Sequence, residues 1–330
     1  MSMEHPTPQE RLAEAPFDDP RADIILQSSD GLQFHVFKII LTLASSVFAD
    51  MFSIPLPASS RPHDKEVVSL SERSEDLELS LRHLYPVPPP ETVPLTNVAV
   101  LAEFAQKYQV DALEKPITQY LRDNVELDPV GVYAIAVTYG YKDVGTAAAR
   151  SCLNLPFSRL KSLHEQYATA QHISELFSYH VACGEAASEV ASGRTWLSSF
   201  LQDGYFVSTG GGSRYRCSSC CTLDFINLDQ NSESYGKRYG PRWLWKYLHR
   251  SALILASHPT AEAVTMEDFV LRANDCPSCK QDARQYMLDI SERFGGEITT
   301  RVEWVPLPDV LTPSATTPQL PDTFFTDFDD

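Results

Sequence analysis

Residues 23–52 read DIILQSSDGLQFHVFKIILTLASSVFADMF, and the hydrophobic period changes midway along this stretch. Ile24, Ile25 and Leu26 form a short β-branched apolar run bounded by Asp23 and by the polar Ser28 to Asp30, the pattern of a buried strand. Asp30-Gly31 supplies turn chemistry, because glycine takes positive φ without steric cost. Leu32, Phe34 and Val36 then alternate with Gln33 and His35, which predicts a second strand and closes a hairpin. After Lys38 the spacing becomes three and four. Phe37, Leu41, Ala44, Phe48 and Met51 fall on one helical face, so two strands feed a helical pair.

The spacing Phe34-x-x-Phe37-Lys38-x-x-Leu41-x-x-x-Ser45-x-x-Phe48-x-x-Met51-Phe52, preceded by Asp23, resembles the opening of a BTB/POZ domain. Later segments continue the resemblance: Val67 to Leu70 as a strand, Leu77 to Tyr85 as a helix ending at a Tyr-Pro loop, and Val98 to Tyr108 as an amphipathic helix. Leu113, Ile117, Tyr120 and Leu121 then close the domain. Phe37 stands where the family usually has His, so no role of that His is carried over. The resemblance implies an α+β fold, a small sheet packed with helices.

Beyond it, Asp128-Pro129 starts a helix well: Asp128 can accept hydrogen bonds from orphan amides, and Pro129 sits at the first helical position, where its missing N–H costs nothing. Val132, Tyr133, Ala136 and Tyr139 make an apolar face, Gly140 interrupts it, and Val144, Ala147, Ala148 and Leu153 continue in a second helix stopped near Pro156. The result is an antiparallel helix pair. It resembles the helical extension that such domains carry, with two readings: a prop for the BTB core or a separate recognition surface.

Cysteine placement is the second strong signal. Four of the seven cysteines form two CxxC pairs, Cys217-Ser-Ser-Cys220 and Cys276-Pro-Ser-Cys279. In a reducing compartment such pairs supply four soft thiolates at tetrahedral geometry, which suits a structural zinc site. The spacer from Cys221 to Asp275 exceeds the roughly 15–20 residues of a zinc ribbon, so a folded insertion must bridge the pairs. Gly240-Pro241 can open a helix carrying Trp243, Tyr247 and Leu248, and Thr265-x-x-Asp268 resembles a capping box before Phe269, Val270 and Leu271. Other readings stay open. Cys221 can replace Cys220, and His249 and His258 are substitute ligands. Cys276-Pro-Ser-Cys279 can be a redox pair heading a helix with Ala283, Tyr286, Met287, Ile290 and Phe294, though no strand precedes it. All four can also be ordinary buried cysteines. The region from Tyr205 to Trp304 resembles the Cys-rich C-terminal half of many fungal BTB-domain proteins, a resemblance that brings no activity with it.

A length of 330 residues suggests two or three domains, and a hydrophobic content of 43% can build sizeable cores. No apolar run is long enough to span a membrane, and the N-terminus lacks the apolar centre of a secretory signal, so the working site is expected in the cytoplasm or nucleus. A formal charge of −17 argues against general binding to nucleic acid or anionic membranes. The exception is local: Lys237, Arg238, Arg242, Lys246 and Arg250, with no Asp or Glu from Tyr235 through Ala261. Beside Trp243 and Tyr247 this patch could contact phosphates and stack bases, or it could be the solvated face of an amphipathic helix whose aromatics are buried. A further use is contact with an acidic surface, including the chain's own end. From Pro306 to Asp330 there are five Asp, five Pro and no Lys or Arg, the composition of a disordered tail whose last residues interleave aromatics with acid as docking segments do.

Motifs for nucleophile elbows, phosphate loops, zincins and dinucleotide binding are absent, and Gly210-Gly211-Gly212-Ser213 fits none of them. The organisation expected is a disordered arm over 1–16, a BTB/POZ domain over 17–125, a helical extension over 126–195, a Cys-rich mixed α+β module over 196–305 and an acidic tail over 306–330. The function expected is non-enzymatic protein–protein interaction, with a BTB domain that forms homodimers or docks a scaffold, and structural zinc held by Cys217, Cys220, Cys276 and Cys279. The resemblance also implies two alternatives. One is a substrate adaptor binding a cullin ubiquitin-ligase scaffold through the region after Met51-Phe52, although Ser53 to Ser59 lacks the hydrophobic-x-Glu signature of that subset. The other is a nuclear transcriptional regulator.

Overall fold

The computed structural model describes residues 11–54, 65–88, 90, 92–193, 195–197, 207–208, 221–226, 236–264 and 283–311. The chain divides into two compact units, Met1–Ile173 and Ser174–Asp330. The helical extension expected to run to residue 195 is therefore shared between them, and the division falls inside a helix.

In the first unit, β2 (Ile24–Gln27) and β3 (Leu32–Val36) form the expected antiparallel hairpin, with Ile24 opposite Val36 and Gln27 opposite Gln33. Gly31, at φ 84°, makes the turn. β4 (Glu66–Ser69) adds in parallel to β2. β1 (Arg11–Leu12) adds in parallel to β3, giving the order β1-β3-β2-β4. β1 and the buried Ala13 correct the disordered arm expected over 1–16 from Arg11 onward, and residues 1–10 lie outside the described residues. A two-residue strand leaves no periodic signal to read.

The helical stretch after Lys38 breaks in two: α1 (Lys38–Ala44) and α2 (Ser46–Ser53) are separated by Ser45, which is extended at φ −145° and ψ 123°. The single helical face read from the sequence is thus two short faces, with Leu41 and Phe48 fully buried and Phe37, Ala44 and Met51 only half-buried. The Ser45 hydroxyl is itself buried. It accepts a hydrogen bond from the Phe48 amide at 3.0 Å and donates to the Tyr108 carbonyl at 2.5 Å, tying α2 to the end of α4 (Leu95–Tyr108). Ser46 donates to Gln109, whose left-handed φ of 49° ends that helix. Phe48 stacks on Tyr108 with ring centroids 4.6 Å apart.

α3 (Ser74–Leu84) starts against the hairpin turn, where both Asp30 carboxylate oxygens accept from Ser74. Hydrogen bonds from Ser74 and then Ser28 hold that carboxyl well below the usual range. At the other end, the Tyr85 hydroxyl accepts from the Phe37 amide, and the Tyr85 ring packs edge-on against the fully buried Phe17. α5 (Glu114–Asn124) buries Ile117 and Leu121.

α6 (Pro129–Tyr139) follows the predicted start, with Asp128 accepting from the Gly131 amide at 2.9 Å. It is buried on every side from Pro129 to Val137, rather than on one face. α7 (Lys142–Cys152) packs against it, and Val144, Ala148 and the C-cap Leu153 of its predicted face are covered while Ala147 is exposed.

In the second unit, α8 (Ala170–Gly193), α9 (Arg242–Leu255) and α10 (Ala283–Glu303) share a core of Ala187, Trp196, Leu248, Ile290, Phe294 and their neighbours. α8 passes close to the residue after α9: a Cβ on Gly184 would lie 2.4 Å from the Ala256 carbonyl oxygen, so only glycine fits. A three-stranded antiparallel sheet, order β5-β7-β6, comprises β5 (Val207–Ser208), β6 (Cys221–Ile226) and β7 (Gly236–Pro241). β7 runs directly into α9, so Gly240-Pro241 ends a strand as well as opening the expected helix.

Ser45→Ala removes the cap and leaves two buried backbone groups without this partner, and is expected to cost about 1–3 kcal/mol in urea unfolding of the first unit. A loss below about 0.5 kcal/mol would show that the helix break does not depend on this hydroxyl.

Candidate interaction surfaces

The break at Ser45 sets the direction of α1. Its inner side buries Leu41, while Ile39 and Leu43, four residues apart, project outward at 61% and 81% exposure. The helix is held at its start: the Lys38 amide donates to Asp23 at 2.8 Å, and the Lys38 ammonium pairs with Glu66 on β4 at 2.5 Å. The apolar pair is therefore presented from an anchored element. Both edges of the sheet carry an exposed apolar residue as well, Leu12 on β1 and Val67 on β4. Edge strands offer unpaired backbone groups to another chain. Sequence reasoning places the helix but not this face, although the signal is present, since Ile39-x-x-x-Leu43 lies opposite Leu41 on the helical wheel.

The proposed ligands Cys217, Cys220, Cys276 and Cys279 lie outside the described residues, as do Gly210 to Ser213, the Thr265 capping box and the acidic tail beyond Leu311. The nearest described elements are β6, which begins at Cys221 in register with Pro241, and α10, which begins at Ala283. His249 is exposed on α9 and His258 comes after its end, half-buried. Among the described residues no three His, Cys, Asp or Glu side chains group as metal ligands.

Of the two aromatics read beside the α9 cations, Tyr247 is described, whereas the Trp243 side chain lies outside the described residues. Trp245 and Tyr247 are buried in the core, where they cannot stack on bases. The Tyr247 hydroxyl donates to the Val264 carbonyl at 2.8 Å, and burial pushes its pKa up to about 12. Lys246, His249 and Arg250 are the exposed counterparts.

One cluster has no counterpart in the sequence reading. Asp128 Oδ2 accepts from the Ser162 hydroxyl at 2.6 Å and lies 2.8 Å from His164 Nδ1. Asp, His and Ser are the residue types of a nucleophilic triad, but the order is wrong. In a triad the imidazole lies between serine and carboxylate, whereas here the carboxylate holds both other groups and Ser162 donates to it. The arrangement ties the segment after α7 to the start of α6. Nothing in residues 153–169 announces it, because the partners are distant in sequence.

Cys152 and Cys183 are also buried, and burial pushes their thiols up to about 12 and about 11. Both are thereby protonated and poor nucleophiles at neutral pH. Alkylation by iodoacetamide at pH 7.5, read by peptide mass spectrometry, is expected to be at least about a hundredfold slower at these two than at an unperturbed cysteine. Rapid labelling of either in folded protein would contradict the burial.

The BTB/POZ domain family matches residues 17–125. Kelch repeat and BTB domain-containing protein 8 of Xenopus tropicalis is 29% identical over 125 residues, covering 37% of this chain and 20% of that protein. The matched region thus spans about a fifth of the length of that curated relative. With the hairpin, the broken α1–α2 pair and the helices that close the sheet already in place, residues 17–125 are a BTB/POZ domain, a module of protein–protein interaction.

Proposed function

We propose that the protein is a non-enzymatic interaction protein whose BTB/POZ domain self-associates through the outer face of α1 and whose second unit carries a client-binding surface. The observation that carries this reading is the anchored, exposed pair Ile39 and Leu43 beside apolar sheet edges. Large apolar side chains held outward on a fixed helix lose contact with water only when another surface covers them. A second copy brings the same face with two-fold symmetry.

A second reading, docking of a cullin scaffold, is favoured by Ile54, which is 68% exposed immediately after α2 in the region to which the resemblance assigns scaffold contact. Sedimentation of the full chain separates the two. The expected result is a dimer for the wild type and a monomer with unchanged melting for Ile39→Arg/Leu43→Glu. A monomeric wild type would overturn self-association. Adding a cullin N-terminal domain to the same sample tests the second reading: co-sedimentation supports it, and unchanged profiles at micromolar concentrations remove it.

We also propose structural zinc, held by Cys217, Cys220, Cys276 and Cys279. The support is the paired spacing and the soft donor set. Such a site has no open position, so the metal would supply folding energy rather than chemistry. Cys217→Ser or Cys279→Ser is expected to abolish bound zinc and unfold the second unit while the BTB/POZ domain still melts cooperatively, because structural zinc contributes on the order of 10 kcal/mol. Full-chain protein free of zinc by mass spectrometry, or variants that melt like the wild type, would end this proposal.

A further inference from the structure

The outer face of α9 stands apart from the rest of this acidic chain. Lys246, His249, Arg250 and Leu253 recur at spacings of three and four, all exposed, with Leu253 at 67%. The opposite face is anchored in the core by Leu244, Trp245, Tyr247, Leu248 and Leu255. No Asp or Glu occurs from Tyr235 through Ala261, in a chain of net charge −17. The result is a fixed cationic stripe ending in an aliphatic side chain. Trp245 and Tyr247 are turned into the core, and the exposed side chains of the described stripe are cations, a histidine and a leucine, a surface complementary to an acidic peptide with an apolar anchor.

The same chain carries a segment of complementary chemistry. Residues 322–330 read DTFFTDFDD, with no cation from Pro306 to the last residue. Leu311 is buried in the second unit, and residues 312–330 follow it in the chain. At roughly 3.3 Å per residue, that segment reaches about 60 Å, farther than the approximately 40 Å across a domain of this size. The stripe from Lys246 to Leu253 is about 10 Å long at 1.5 Å per residue, the length of three or four extended residues. Asp327-Phe328-Asp329 matches it in length and pattern: carboxylates for Lys246 and Arg250, and one ring for Leu253. We propose that the outer face of α9 is the docking site for the acidic-aromatic C-terminal segment of this same chain, with Asp327, Phe328 and Asp329 as its contact residues. Tethering raises the local concentration of such a segment to the millimolar range, so weak individual contacts suffice. Docking in cis would occlude the stripe until an acidic partner displaces the segment. This surface lies outside residues 17–125 and is independent of self-association there.

The test uses a fluorescein-labelled peptide of residues 318–330 and three proteins: the full chain, a variant lacking 318–330, and that shortened variant with Lys246→Glu/Arg250→Glu. Fluorescence anisotropy is expected to show saturable, salt-sensitive binding to the shortened variant. The full chain should bind at least tenfold more weakly, and so should both the charge-reversed protein and a Phe328→Ala peptide. Equal melting curves for the three proteins establish that the exposed substitutions leave the fold intact. No binding to the shortened variant, or equal binding after charge reversal, overturns the site. Equal binding to the full and shortened chains overturns docking in cis and assigns the stripe to a partner in trans. If a single-stranded 20-mer oligonucleotide binds the shortened variant more tightly than the peptide does, the stripe is a nucleic-acid surface and the proposal fails.

Discussion

The buried hydroxyl of Ser45 fixes the architecture of the first unit. Its oxygen takes the Phe48 amide and its proton goes to the Tyr108 carbonyl, so one side chain stops α1, starts α2 and binds both to the end of α4. A continuous helix from Lys38 to Ser53 would satisfy the Phe48 amide internally but would leave no group to meet the Tyr108 carbonyl. Buried polar groups without partners cost about 1–3 kcal/mol each, and the extended backbone at Ser45 avoids that cost. The geometric consequence is that α1 and α2 bury different sides. Leu41 and Phe48 face the core, and Ile39 and Leu43 are left outside.

The neighbouring contacts keep that exposed face in place. Lys38 reaches both Asp23 and Glu66, which joins α1 to the sheet at two points. Asp30 ties α3 to the hairpin turn, and Tyr85 ties its far end to the Phe37 amide just before α1. Each of these bonds links residues distant in the chain, and each fixes the start or end of an element. An interaction surface needs that rigidity, since ordering a mobile helix on binding would offset part of the gain from covering two apolar side chains.

Much of this architecture is legible in the sequence. The alternation of Leu32, Phe34 and Val36 after Asp30-Gly31 marks the hairpin, and Asp128-Pro129 marks the start of α6, because turn, cap and period signals are local properties of the chain. The site residues are less legible. Asp128, Ser162 and His164 meet across a segment with no periodic pattern, and β1 is too short to produce one. The four cysteines proposed to hold zinc stand out by spacing, which carries chemistry but no distances.

By itself, then, the sequence determined the order and type of the elements, the BTB/POZ spacing from Phe34 to Phe52 and the local excess of cations between Lys237 and Arg250. Only the tertiary structure decided which sides of those elements meet solvent. α6 reads as amphipathic yet is enclosed on all sides, because neighbours contributed by distant segments cover it. α9 carries aromatics and cations together, and packing against α8 and α10 sends Trp245 and Tyr247 inward while Lys246 and Arg250 stay outward. Period and composition are set by nearest neighbours along the chain, whereas exposure depends on what the rest of the fold places opposite each face.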